Sequence, residues 1–344
     1  MKISFKNDYS EGAHPAILEA LLQTNRQQQP GYGLDDYSEQ AKALIRERIG
    51  NPQAEIFFVS GGTQANLLVL GHILRPHESI IACQSAHIAD HETGAIEAVG
   101  CKIHLAPSDN GKLSPEQIRD YASRYTNVPH QVQPRLVYIT QTTEIGTLYS
   151  LAELKAIWQC CQELGLLLYM DGARLAQALS AEGNDIGWED LARYTDIFYI
   201  GATKCGALLG EAIVFNQSVL AEYFSFYIKQ KGALLAKGRL LGLQFLTLFQ
   251  NNLYEELGRM ANTQMKRIKE AFVAKGIGFL SDTCTNQLFP ILTQQQIAQL
   301  SADFDFYLWQ KVDAEHTAIR LITSWATEDS QVEALLRVIE GLTP

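Results

Sequence analysis

Basic residues are in deficit in this chain: 28 Lys and Arg stand against 38 Asp and Glu, a formal net charge of −10. That balance argues against nucleic acid or an anionic membrane surface as a partner. No apolar run reaches the roughly 18 residues that cross a bilayer, and the opening MKISFKNDYSEG lacks the apolar core of a signal peptide. The six cysteines include no CxxC pair and no Cys/His cluster at zinc spacing. The expectation is a reducing cytoplasm and no bound metal. There is no linker rich in Pro, Gly or Ser, no internal repeat and no low-complexity stretch. Neither GxGxxG nor a Walker A sequence occurs.

What is present is 344 residues, 47% hydrophobic and 19% charged, enough for one large domain and a smaller one. Strand-like segments recur at 55–60, 79–83, 101–106, 135–140, 167–170, 196–200 and 211–215. They are rich in β-branched and aromatic residues without clean alternation, as in strands buried on both faces. Helical segments separate them, such as 63–74 and 150–165, the latter with Ser150 as N-cap and Gly165 at its end. The pattern predicts an α/β fold whose large domain, 15–248, has a mostly parallel sheet sandwiched by helices. Long helical stretches at 217–229, 233–250 and 254–275 follow, then strands at 286–292, 307–312 and 318–324 and helices at 293–303 and 329–341. This predicts a small C-terminal α+β domain, 249–344 with 1–14.

Four constellations carry chemistry. SGGTQAN at 60–66 places Gly61, Gly62 and Thr63 between a strand and a helix N-terminus, where backbone N–H groups and the helix dipole favour an anion. One phosphate fits better than a dinucleotide; a tight turn is the plainer alternative. SAHIADHETGA at 85–95 puts His87 at a strand's carboxyl end, where it could stack on a flat ring, move a proton or merely pack. His91 reads as a helix-surface residue. LLLYMDGARL at 166–175 and DIFYIGATKCGALLG at 196–210 place Asp171 and Lys204 at two further strand ends. Ligands of open α/β sheets sit at such ends. Asp171 could instead cap a helix, and Lys204 could be a solvated loop residue; both together beside an anion loop is the less ordinary coincidence. Arg174 could offer a fork to a carboxylate. Arg320, in AIRLITS, is an arginine among apolar strand residues, paired either to a substrate carboxylate or in a structural salt bridge. Cys160, Cys161 and Cys205 read as packing residues.

An acid and a lysine at neighbouring strand ends suit pyridoxal phosphate, which needs a lysine for its Schiff base and a carboxylate to keep its pyridine nitrogen protonated. A non-enzymatic or nucleotide-binding α/β protein using the SGGTQAN turn for another anion is the distant alternative.

The order SGGTQAN, SAHIADHE, DGARL, GATKCGALLGEAIVF resembles the threonine aldolase and β-eliminating lyase group of fold-type I pyridoxal phosphate enzymes, most of all the low-specificity L-threonine aldolases. The resemblance runs from NDYSEGAHP at 7–15 to Arg320. It implies Lys204 as the Schiff-base lysine, Asp171 opposite the pyridine nitrogen, His87 stacked on the ring and Gly61, Gly62 and Thr63 as the phosphate loop. It implies Ser10, Arg174 and Arg320 as holders of the substrate carboxylate. Tyr32, in GYGLDD, resembles a segment shared across a dimer interface, so a homo-oligomer, dimer or tetramer, is expected.

Two segments depart from the family pattern. Where the family has an ENTHN-like stretch, this chain reads TQTTEIGT, placing Glu144 near the histidine that approaches the substrate hydroxyl. Where the family has GGGMRQ, with an arginine for the phosphate, this chain reads KGALLAKGR, offering Lys231 or Lys237. The expected activity is cleavage of a β-hydroxy-α-amino acid to glycine and an aldehyde, with Lys204, Asp171, His87 and Glu144 as catalytic residues. β-Elimination or transamination on the same scaffold is the alternative.

Overall fold

The computed structural model describes residues 2–343. Its centre is a seven-stranded sheet, formed by β1 (Glu55–Val59), β2 (Glu78–Cys83), β3 (Lys102–Ala106), β4 (Gln133–Thr140), β5 (Leu167–Asp171), β6 (Ile197–Gly201) and β7 (Glu211–Phe215). The spatial order is β1-β7-β6-β5-β4-β2-β3. All neighbours are parallel except at β7, which runs antiparallel to both β1 and β6. The strand expectations therefore hold to within two residues at each end, with one reversed strand that apolar content alone does not reveal.

Side chains alternate into two cores, one on each face. Val137 and Ile139 of β4 pack on one side with Phe198 and Leu248, while Leu136 and Tyr138 pack on the other with Tyr169, Tyr199 and Leu68. Helix α3 (Gly62–Ile73) covers the second face. Helices α1 (Pro15–Thr24), α2 (Asp36–Arg48), α4 (Pro115–Ser123), α5 (Leu151–Leu164) and α6 (Arg239–Phe249) pack with the first. Helix α5 has the expected ends: Ser150 and Glu153 form a capping box, and Gly165 takes the left-handed φ of 66°. The stretch 233–250 is helical only from Arg239, because left-handed Gly232 ends the preceding helix and the chain turns through 233–238.

Helix α7 (Leu253–Ala274) lies against residues of both the large sheet's core and a third core. That third core belongs to β8 (Gln287–Leu288), β9 (Ile291–Thr293), α8 (Gln294–Asp303), β10 (Tyr307–Lys311), β11 (His316–Ile322) and α9 (Asp329–Glu340). Strand β11 is the hub, antiparallel to β8, β9 and β10. The amino-terminal segment joins this part of the molecule, with Ile3–Ser4 pairing in parallel with Phe304–Asp305. Among the described residues no helix is long and apolar enough to cross a membrane.

Candidate active site

Parallel strands bring their carboxyl ends to one edge of the sheet, and a cavity of about 700 Å³ opens there. Its wall contains Gly61, Gly62, Thr63, His87, Glu144, Asp171, Arg174, Lys204 and Arg320. Nine sequence-predicted site residues, from six separate segments, thus face one space. Ser10 and Tyr32 do not line it. Ser10 is exposed and donates to Asn7 Oδ1 at 2.9 Å, and its neighbour Tyr9 occupies the wall instead. Tyr32 is 47% exposed in a left-handed backbone (φ 62°) and lines a separate depression with Lys42 and Phe58.

At the anion end, α3 begins at Gly62 with extended Gly61 as N-cap and no side-chain cap bond. Its first N–H groups are therefore free for an anion. A Cβ on Gly62 would lie 3.0 Å from the Tyr199 hydroxyl, so glycine permits close approach of loop to sheet. The Tyr199 hydroxyl has no hydrogen-bond partner among the described residues and faces the cavity.

Asp171 ends β5 and is buried. Three donors hold it: Tyr138 Oη at 2.5 Å and Asn66 Nδ2 at 3.1 Å on Oδ2, and the Ala173 N–H at 3.0 Å on Oδ1. The helix-cap alternative is thus not its main contact. Gly172 follows because a Cβ there would strike the Tyr199 carbonyl at 2.0 Å, and this approach lets the turns carrying Asp171 and Lys204 share one end of the sheet.

Lys204 is half-buried, in the turn after β6, and its amine has no partner among the described residues. It is not a solvated loop lysine. Burial and the Arg174 charge lower its pKa, opposed by Asp8, Glu144 and Asp171. A larger neutral fraction makes the amine a better nucleophile.

His87 Nδ1 lies 2.8 Å from Glu92 Oε1. Burial alone would lower the imidazole pKa, but the Glu92 bond and the charges of Glu144 and Asp171 raise it overall. Asn66 also donates to Glu92 Oε1, at 2.7 Å, so Asn66 ties His87's partner to Asp171. His91, read as a helix-surface residue, is exposed but stands on the cavity rim, because the helix it follows is one turn long, His87–Asp90.

Arg174 is committed more deeply than expected. Its Nε and Nη2 donate to Asp8 Oδ2 and Oδ1 at 2.7 and 3.1 Å, both residues being buried. Burial would raise the Asp8 carboxyl, but the Arg174 and Lys204 charges and hydrogen bonds from Arg174 and Asn286 hold it below the ordinary carboxylate range. Arg174 thus keeps only its remaining donors for a ligand. Arg320 has no salt bridge among the described residues, against the structural alternative; it lies over the rings of Trp309 and Tyr307, 4.6 and 5.0 Å from their centres. Glu144 likewise has no ion-pair partner among the described residues. Cys205 is buried, its thiol pushed far up by burial, and it packs rather than reacts. Lys231 and Lys237 are absent from the wall.

A partnerless lysine, a carboxylate fixed by three donors, an uncapped helix N-terminus and a free guanidinium in one cavity fit pyridoxal phosphate and an amino acid. The comparisons agree with the geometry. Residues 6–293 match the family described as Beta-eliminating lyase. The chain belongs to that family. Among its relatives, the low specificity L-threonine aldolase of Pseudomonas aeruginosa is 33% identical over 342 residues, covering 97% of this chain and 96% of that one. A second, from a Pseudomonas species, is 32% identical over 346 residues, covering 98% and 97%. The solved structure of the Leishmania major threonine aldolase has 45% identity and a TM-score of 0.97, covering 98% of this chain and 99% of that one. An aspartate aminotransferase from Thermus thermophilus, at 16% identity, TM-score 0.74 and coverage of 99% and 91%, shares the fold alone.

Several wall and support residues escaped the sequence reading: Asp8, Asn66, Glu92, Tyr138, Tyr199, Glu211 and Trp309. Glu92 had a local signal, five residues after His87 in SAHIADHETGA. The others are ordinary core or loop residues until the topology brings them to the cavity.

Proposed function

We propose that this family member cleaves a β-hydroxy-α-amino acid, L-threonine or L-allo-threonine among them, to glycine and an aldehyde by retro-aldol chemistry. The observation that carries this reading is the partnerless Lys204 amine facing the same cavity as Asp171 and an Arg320 guanidinium that has no carboxylate partner. Names borne by relatives covering nearly the whole chain support it. Pyridoxal phosphate, when bound, supplies an aldehyde for the substrate amine and a ring that accepts electrons from the breaking Cα–Cβ bond.

The chain's own residues do the rest. Lys204 would hold the cofactor until a substrate amine replaces it. Asp171 keeps the ring nitrogen protonated, fixed by Tyr138 and Asn66. Gly61, Gly62 and Thr63 would hold the phosphate, and His87 would face the ring. Arg320, with Arg174's remaining donors, would orient the substrate carboxylate, while Ser10 stands outside the cavity wall. Such orientation can supply several kcal/mol of the barrier, up to about 7–11 in model systems. Glu144, His87 or a water between them takes the β-hydroxyl proton.

The family's description favours β-elimination as the second reading. Product analysis separates the two, and transamination with them: glycine plus aldehyde, pyruvate plus ammonia, or a keto acid. Borohydride reduction of the cofactor-loaded protein with peptide mapping tests the site; label on a lysine other than Lys204 overturns it.

We further propose a cytoplasmic homo-oligomer, dimer or tetramer, in which Tyr32 serves the cavity of a neighbouring copy. Its exposed, left-handed position outside its own cavity supports this, as do the exposed Leu34, Tyr223 and Phe226. Six free cysteines among the described residues suit a reducing compartment. The molecule is divided in function at 15–248, which carries the cofactor, and 249–344 with 1–14, which closes over the substrate.

A further inference from the structure

Glu211 is the first residue of β7, opposite Val59 of β1 and Gly201 of β6. Because β7 is antiparallel, its start lies where the parallel strands end. Val59 leads directly into Ser60, Gly61 and Gly62, so Glu211 stands beside the anion loop. It lines the cavity yet is only 4% exposed. Its Oε1 accepts from Thr203 Oγ1 at 2.9 Å, and its Oε2 is buried without a partner among the described residues. Thr203 Oγ1 in turn accepts from the Gly210 N–H at 3.0 Å. The Thr203 hydroxyl has one proton. While Glu211 is ionised, that proton is taken.

An ionised carboxyl with one oxygen buried and unpartnered is unfavourable. Burial and the Asp171 charge push the Glu211 carboxyl up to about 8, against the Thr203 bond and the Lys204 charge. Lys204 and Asp171 are the charges facing it. Tyr169, Tyr199 and Tyr254 are also near, and burial pushes all three phenols well above their ordinary range. From β1 and the start of α3, residues 59–63 bring no titratable side chain. A neutral carboxyl can reverse the bond: its O–H donates to Thr203 Oγ1, and the threonine proton is released to turn toward the cavity, the Gly210 carbonyl being a long 3.5 Å from Oγ1.

We propose that Glu211 is a positioning residue for the cofactor's phosphate, acting through Thr203: neutral Glu211 frees the Thr203 hydroxyl to donate to the anion, and ionised Glu211 takes that donor away. The proposal rests on the reading of this cavity as a pyridoxal phosphate site. It gives the anion end a donor in a chain whose Lys231 and Lys237 lie outside the cavity wall.

The test titrates 4′-deoxypyridoxine 5′-phosphate, which has a methyl in place of the aldehyde and so forms no bond to Lys204, into the cofactor-free full chain from pH 7 to pH 9.5. Fluorescence reports binding, and circular dichroism checks the fold. In the wild type the dissociation constant rises as pH passes 8, on the order of tenfold for one lost hydrogen bond to a charged group. Glu211→Gln, whose amide donates to Thr203 at every pH, keeps wild-type affinity at pH 7 and loses most of that rise. Any slope left in it belongs to the other titrating groups of the site, Lys204 and His87, and to the probe's own ring. Thr203→Val binds more weakly throughout, with the shallow slope; Thr203→Ser keeps the steep one. Equal slopes in wild type and Glu211→Gln, or in the valine and serine variants, overturn the proposal. So does an equally steep slope with 4′-deoxypyridoxine, which lacks the phosphate. Failure of the wild type to bind either probe at pH 7 overturns the cofactor reading itself.

Discussion

The Arg320 guanidinium lies 4.6 Å from the centre of the Trp309 ring, and its buried Nε has no hydrogen-bond partner among the described residues. A desolvated cation held by a π-face instead of a carboxylate stays aimed at the cavity and keeps its fork for an incoming anion. The holding is local, since Tyr307, two residues before Trp309, pairs directly with Arg320 across β10 and β11.

Trp309→Leu removes the platform and keeps the bulk apolar. A cation–π contact of about 1 kcal/mol corresponds to roughly fivefold. The amino-acid KM is expected to rise by that factor with little change in kcat, because the carboxylate is held equally before and during bond cleavage. The same factor should appear in glycine titrations followed by the holoenzyme's visible absorbance. An unchanged KM would show that Arg320 does not need the ring.

Asp171→Asn keeps the shape and an acceptor oxygen for Tyr138 and Asn66 and gives up only the Ala173 N–H bond, so the fold and bound cofactor should survive. The charge facing the ring nitrogen is lost. Turnover is expected to fall by roughly a hundredfold or more, the scale of a missing electrostatic stabiliser. Near-normal turnover with cofactor content confirmed counts directly against the electron-sink role.

The His87–Glu92 pair makes stability depend on pH in one direction. The folded pKa of His87 is raised above the unfolded 6.5, so the pair stabilises fully below that value and loses its effect as pH climbs through the raised one. Above it, Glu92 remains a buried carboxyl with an unpartnered Oε2. Relative to Glu92→Gln, the wild type should therefore melt higher at pH 6, with the gap narrowing or reversing by pH 9. An equal gap at both pH values would mean that the ion pair is not its source.

The large sheet was legible because parallel strands buried on both faces carry dense β-branched runs, and strand ends are where ionisable residues stand out. Lys204 and Asp171 were visible for that reason. Strand direction leaves no such trace: nothing in EAIVF announces that β7 runs backward, and that reversal alone brings Glu211 to the cavity. Asp8 was hidden differently. It belongs to the amino-terminal segment, and only the docking of that segment beside β11 places it against Arg174. Hence Arg174, read as a free fork for substrate, is half used by the protein.

Glu144 is the carboxylate placed to take the β-hydroxyl proton. It lines the cavity without an ion-pair partner among the described residues, and its charge raises His87 and favours protonated Lys204. A salt-bridged loop residue would behave otherwise. If this carboxylate takes the β-hydroxyl proton, Glu144→Gln keeps shape and loses basicity. Cleavage of threonine or phenylserine should drop by roughly a hundredfold or more, within the range for general-base removal. The visible absorbance change induced by glycine should persist, because glycine has no hydroxyl to deprotonate and engages only Lys204 and the carboxylate-binding arginines. Unchanged kinetics would leave His87 or a water as the base. Loss of the glycine response together with cleavage would instead assign Glu144 to holding the cavity in shape, through the charges it presents to His87, Arg174 and Lys204.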